Sequence, residues 1–252
     1  MIRNPNDIVE KLVAELRGVF GEHLRSVVLY GSAVSHEFKP GKSDVNIAVV
    51  FDEMPVSLLE KGTDVFRTWM RRGVAVPLLL TSEYINTLAT DFPVEILDIQ
   101  NSSRLLAGED LFASVKIGRP ELERQCRREL LGIALQLRRE YVRFAEKPKI
   151  LASVMERAVR ALLPVFKAVA LLGNRKIPAA KGELVGVVED LFGLGSSILS
   201  QIMNSPASAS TSPGDRLDQL LHIVELIADR IGAPADDPVP AVRTGEETTT
   251  SA

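Results

Sequence analysis

The chain has 252 residues, 46% hydrophobic and 25% charged, with a formal net charge of −3. This is an ordinary globular composition, long enough for one large domain or two modest ones, and its charge does not approach that of a dedicated nucleic-acid binder. The single cysteine, Cys126, excludes an intramolecular disulfide and a cysteine zinc site. No apolar run is long enough for a transmembrane helix, and the opening MIRNPNDIVEKL lacks a signal-peptide core, so the cytoplasm is the expected compartment.

Taken in chain order, residues 7–20 gather Ile8, Leu12, Val13, Leu16, Val19 and Phe20 on one face of a helix. An apolar run over 26–30 stops at Gly31-Ser32, and a second over 45–51 begins after Ser43-Asp44. This reads as strand, turn, short helix, turn, strand. Pro55-Val56-Ser57 opens a helix that runs to about Arg72 and ends at Gly73. A buried-type strand follows over 74–80, then a short helix capped by Ser82, then a strand over 93–100. Residues 105–112 contain a turn at Gly108-Glu109-Asp110. Residues 1–117 therefore read as a small domain of strands interleaved with helices.

From Pro120 the apolar period is helical throughout. Helices are expected over 122–144, 149–172 (ended by Gly173-Asn174), 182–192, 196–203 and 216–231, with a flexible Ser/Pro/Ala loop over 204–214. The expected organisation is an α+β fold: a small mixed-sheet domain at 1–117, a helical bundle at 118–232 and a disordered tail at 233–252. Residues 1–117 carry 12 Lys/Arg against 16 Asp/Glu, and 118–232 carry 17 against 13. The bundle is mildly basic, far from the charge of a nucleic-acid binder, which argues against nucleic acid as the partner.

The chemistry concentrates in VLYGSAVSHEFKPGKSDVNIAVV, residues 28–50. Glycine at 31 lets backbone approach a bound anion. The Ser32 hydroxyl and the N–H groups that open the next helix can hold phosphate oxygens. Asp44 sits where a divalent cation would neutralise those phosphates. Gly31-Ser32, a gap of about ten residues and Ser43-Asp44 at a strand opening resemble the signature of the nucleotidyltransferase superfamily, which includes DNA polymerase beta and the aminoglycoside nucleotidyltransferases. A head of this kind followed by a helical bundle is similar in layout to the kanamycin nucleotidyltransferase-like bacterial proteins.

The resemblance implies transfer of a nucleotidyl group from an NTP, ATP first among them, to a hydroxyl acceptor with Mg²⁺. It implies that Gly31 and Ser32 hold the terminal phosphates, that Lys42 or Ser43 steadies the triphosphate, and that Asp44 ligates metal. The family's third carboxylate falls on Glu95, with Asp98 as the alternative. On a strand these two would face opposite ways. The chain departs from the signature at Asn46, where the family has a second acid. An amide oxygen can still ligate a hard cation but adds no charge, which puts a two-metal site in doubt. Two readings stay open: a transferase working with Asp44, Asn46 and Glu95 at its metal, and a nucleotide-binding or interaction protein that has lost catalysis. The acceptor is open, no membrane partner is implied, and a homodimer is compatible with the layout.

Other candidates weigh less. The basic run Arg124, Arg127, Arg128, Arg138, Arg139, Arg143, Lys147 and Lys149 reads first as a solvated helix face. Arg216 and His222 match a ribonuclease spacing in helical-bundle proteins, with apolar Leu217 where that pattern is polar. His36 reads as a loop histidine, and Cys126 as core packing.

Overall fold

The computed structural model describes residues 2, 4–34, 38, 40, 43–194, 198–204 and 212–231. The chain divides into two compact units. The first holds Met1–Ala89 and Ile96–Lys116; the second holds Thr90–Glu95 and the helices from Ile117 on.

The first unit is built on a four-stranded mixed sheet in the order β3-β2-β1-β4, from β1 (Leu24–Tyr30), β2 (Asn46–Phe51), β3 (Leu78–Thr81) and β4 (Ser103–Gly108). β1 is antiparallel to both neighbours, and β2 and β3 are parallel. Strand alternation sorts the side chains cleanly. Val27, Leu29, Val45, Ile47, Val49 and Phe51 join one core with Leu12, Leu16 and Phe20 of α1 (Asn6–Phe20) and Leu58 and Trp69 of α2 (Val56–Arg72). The even-numbered residues of β1 and β2 take the opposite face, where Val28, Ala48 and Val50 are also buried. Trp69 is anchored within this core because its indole N–H donates to Glu15 at 2.8 Å, so the ring's one polar atom is satisfied as it packs.

α3 (Ser82–Asp91) and α4 (Pro93–Asn101) follow β3. Here one expectation is corrected: residues 93–100 lie in a helix, and the fourth strand is β4, which begins at Ser103. Pro93 suits a first helical turn, where its missing N–H costs nothing, and Glu95 complements the positive end of the helix. A nine-residue stretch with Val94, Ile96, Leu97 and Ile99 all buried carries no period that separates a buried helix from a buried strand.

The second unit is helical: α5 (Arg119–Phe144), α6 (Pro148–Ala161), α7 (Leu163–Leu172), α8 (Lys181–Phe192), α9 (Ile198–Asn204) and α10 (Pro213–Arg230). α5 packs against α6, α7 and α10, burying Leu122, Cys126, Leu130, Ala134 and Leu137 at helical spacing. The single helix expected over 149–172 is two, because Pro164 lies in the first turn of α7 and cannot carry the hydrogen-bond ladder through. α10 starts at Pro213, inside the stretch read as loop, where the Ser212 hydroxyl accepts from the Asp215 N–H at 3.1 Å. The rest of that loop and the 233–252 tail lie outside the described residues.

Gly108 is a fold-critical position. It closes β4 with φ +80°, and a Cβ there would stand 1.8 Å from the Arg25 carbonyl oxygen. Gly108→Ala therefore combines left-handed strain with a backbone clash. The expected outcome is a loss of about 2 kcal/mol or more in denaturant unfolding; an unchanged midpoint would contradict the β1–β4 register.

Candidate functional site

Gly31 follows directly on β1 and begins a short 3-10 turn, Gly31–Val34, that includes Ser32. Three observations hold it. Its φ is +73°, a conformation that favours glycine. Its N–H donates to the Ser102 carbonyl at 2.8 Å, which ties the turn to the chain between α4 and β4. A Cβ on it would meet Asn46 Nδ2 at 3.2 Å. The Gly-Ser turn and position 46 are thus in contact range across the β1–β2 pair, in which Tyr30 lies opposite Asn46.

Asp44 reaches the same side. Val45 pairs with the segment that follows α2: its N–H donates to the Gly73 carbonyl (3.2 Å) and its carbonyl accepts from Ala75 (3.0 Å). Val45 itself is buried in the α1–α2 core. Its extended neighbours Asp44 and Asn46 therefore point to the opposite face, the one that carries Tyr30. Asp44 is exposed, and Asn46, Ser43, Ser32 and Gly31 are half-buried. Lys42 and His36 lie outside the described residues.

Glu95 and Asp98 sit on α4 rather than on a strand, so they are one turn apart along a helix instead of on opposite sheet faces. Their surroundings differ. Gln125 of α5, buried at 3% exposure, accepts from the Val94 N–H at 2.8 Å and donates to the Glu95 carboxylate at 2.7 Å. One side chain thereby serves both the opening of α4 and the acid in its first turn. Asp98 belongs to the sheet unit. The N–H of Ser102, whose carbonyl holds Gly31, donates to the Asp98 carbonyl at 3.1 Å. Burial, and next the Asp98 charge, push the Tyr30 phenol above its ordinary value. Asp98 is therefore close to Tyr30 and the Gly31 turn. The sequence reading counted Tyr30 only as the end of an apolar run; the parity it shares with Asn46 was the available signal.

The donor set suits one hard cation shared with phosphate oxygens: a carboxylate at Asp44 and an amide oxygen at Asn46. Among the described residues no group of three His, Cys, Asp or Glu could hold a metal ion.

The remaining candidates have other employment. Arg127 donates to the Ala228 carbonyl (2.8 Å) and pairs with Asp229 (3.3 Å), Arg124 pairs with Glu121, and Arg138 pairs with Glu225. Much of the basic run thus fastens α5 to α10 or to itself. Arg216 is buried and His222 exposed on α10; six residues apart, they lie about 120° from one another around the helix. Cys126 is buried, and burial followed by Glu123 and Glu129 keeps its thiol protonated, which is wrong for a nucleophile.

The sequence matches no protein-family model and no curated protein. The fold has a solved counterpart in spectinomycin adenyltransferase AAD(9) from Enterococcus faecialis, crystallised with ATP and spectinomycin. The two align with a TM-score of 0.55 over 90% of this chain and 99% of that one, at 11% identity. This chain shares the α+β fold of that protein. Among the described residues, no helix is long and apolar enough to cross a membrane.

The Gln125 bridge gives a clean test of what holds α4. Gln125→Leu leaves the Val94 N–H buried without its partner and should cost about 1–3 kcal/mol in thermal or denaturant unfolding. Glu95→Gln keeps a hydrogen-bonding partner for Gln125 and should change stability by less than about 1 kcal/mol. Equal losses from the two would assign Glu95 a structural weight that the geometry does not.

Proposed function

We propose that this protein binds a nucleoside triphosphate, ATP first, at the Gly31–Asn46 site and transfers its nucleotidyl group to a hydroxyl acceptor. The observation that carries the reading is the meeting of an anion-type Gly-Ser turn with Asp44 and Asn46 on one side of one strand pair. The similarity in fold to an adenyltransferase crystallised with ATP supports it.

In this reading Gly31 and Ser32 hold the terminal phosphates, Lys42 and Ser43 flank the triphosphate, and Asp44 with Asn46 holds Mg²⁺. Bound there, the ion supplies charge neutralisation to the phosphates. An acceptor hydroxyl oxygen attacks the α-phosphorus, its proton passes to a carboxylate, and pyrophosphate leaves. Of the acids on α4, Asp98 is the better placed for that proton, because it lies beside the cross-strand partner of Asn46, whereas Glu95 is engaged by Gln125. One free, buried cysteine suits a reducing, ATP-containing compartment such as the cytoplasm.

A second reading, a nucleotide binder without turnover, is favoured by Asn46 alone. It supplies an oxygen where an acid would supply charge, so a second cation has less to hold it.

Titration calorimetry with Mg-ATP tests both readings. Asp44→Ala should abolish metal-dependent affinity. Asn46→Asp should tighten it about threefold or more by adding a carboxylate at the metal, while lowering metal-free stability slightly through repulsion from Asp44. Metal-dependent affinity unchanged by both variants would remove positions 44 and 46 from the site. Incubation with labelled ATP, Mg²⁺ and a lysate then separates transferase from binder by whether any acceptor becomes labelled.

A further inference from the structure

We propose that Tyr30 is a ligand-contacting residue of this site, its phenolic O–H donating to a phosphate oxygen of the bound nucleotide; the inference rests on the nucleotide reading above. Tyr30 is the last residue of β1 and the immediate neighbour of Gly31, whose turn is proposed above to hold the phosphates. It lies opposite Asn46 in the β1–β2 register and opposite Ser103 in the β1–β4 register, so its side chain leaves the sheet on the Asn46 and Asp44 side.

The ring is half-buried, yet its hydroxyl makes no hydrogen bond among the described residues. A phenol set into a folded surface ordinarily finds a partner. The Asp98 charge acts on the phenol and disfavours its deprotonation, so the O–H is retained. A neutral, protonated phenol is a hydrogen-bond donor that a phosphate oxygen accepts strongly, since the acceptor is charged. The two-torsion side chain of Tyr30 is already oriented by the strand. The roles thus divide by chemistry: backbone at Gly31, hydroxyl at Ser32, cation at Asp44 and Asn46, and phenol at Tyr30.

The test is Tyr30→Phe, which keeps the ring in place and removes only the hydroxyl. Calorimetry with Mg-ATP and with inorganic Mg-tripolyphosphate, both on the full chain, should show affinity about tenfold weaker for each. The melting temperature should be unchanged. Tyr84→Phe, on the exposed face of α3, is the control and should bind like the wild type. Wild-type affinity for both ligands in Tyr30→Phe overturns the inference while leaving the nucleotide reading intact. Loss of ATP affinity with tripolyphosphate unaffected would place the phenol against the nucleoside, and overturns it as well. Absence of binding by the wild type would overturn the nucleotide reading and this inference together. A lowered melting temperature in Tyr30→Phe would show that the hydroxyl is engaged within the protein, which also contradicts it.

Discussion

Everything distinctive in this molecule depends on a turn that has no room for a side chain. Gly31 takes a left-handed conformation, gives its N–H to Ser102 and leaves its open side to Asn46. Gly31 follows directly on β1, and its two contacts reach the junction of α4 with β4 and the opening of β2. A residue with a Cβ would strain the turn and push against Asn46 at once. The site is therefore a by-product of how the sheet closes. The sheet brings the backbone of the turn into contact range of the amide of position 46, and such preorganisation is what the proposed anion binding would draw on.

The two faces of the sheet do different jobs. Val27 and Leu29 of β1 and the odd-numbered residues of β2 are spent on the core with α1 and α2, an apolar interface apart from the satisfied indole of Trp69. The even-numbered face is apolar at its centre, at Val28, Ala48 and Val50, carries the buried Ser26 toward one end, and is polar at the other, where Tyr30 and Asn46 stand. The proposed site thus lies at the rim of a well-buried sheet, where polar groups can reach water while their backbone is held by the ladder.

Much of this was legible in the sequence, and the exceptions have physical causes. The Gly-Ser turn between two apolar runs is a strong local signal, because glycine and a break in apolar character coincide; α1, α2 and α5 show long, clean helical periods. The stretch at 93–100 failed because it is short and buried on nearly every side, so neither period of two nor of 3.6 is imprinted on it. β4 was passed over for the opposite reason: Ser103, Arg104 and Leu105 at its start are half-buried or exposed on a sheet edge, and they look like loop. The consequence for the site was a misplaced geometry for Glu95 and Asp98, and only long-range contacts, with Gln125 for one and Tyr30 for the other, distinguish them.

The pairing of Val45 with Gly73 and Ala75 carries an implication for how this protein can vary. The carbonyl that receives the Val45 N–H belongs to the residue that ends α2, so the position of Asp44 is slaved to the length of that helix. One residue added to the last turn of α2 would rotate Gly73 by about 100° and withdraw the carbonyl from Val45. A residue added between β2 and α2, at the exposed 52–53 stretch, leaves that link in register. Among variants of this chain, length changes should therefore collect before α2 and be purged from its end, even though both places are surface segments of the same short crossover.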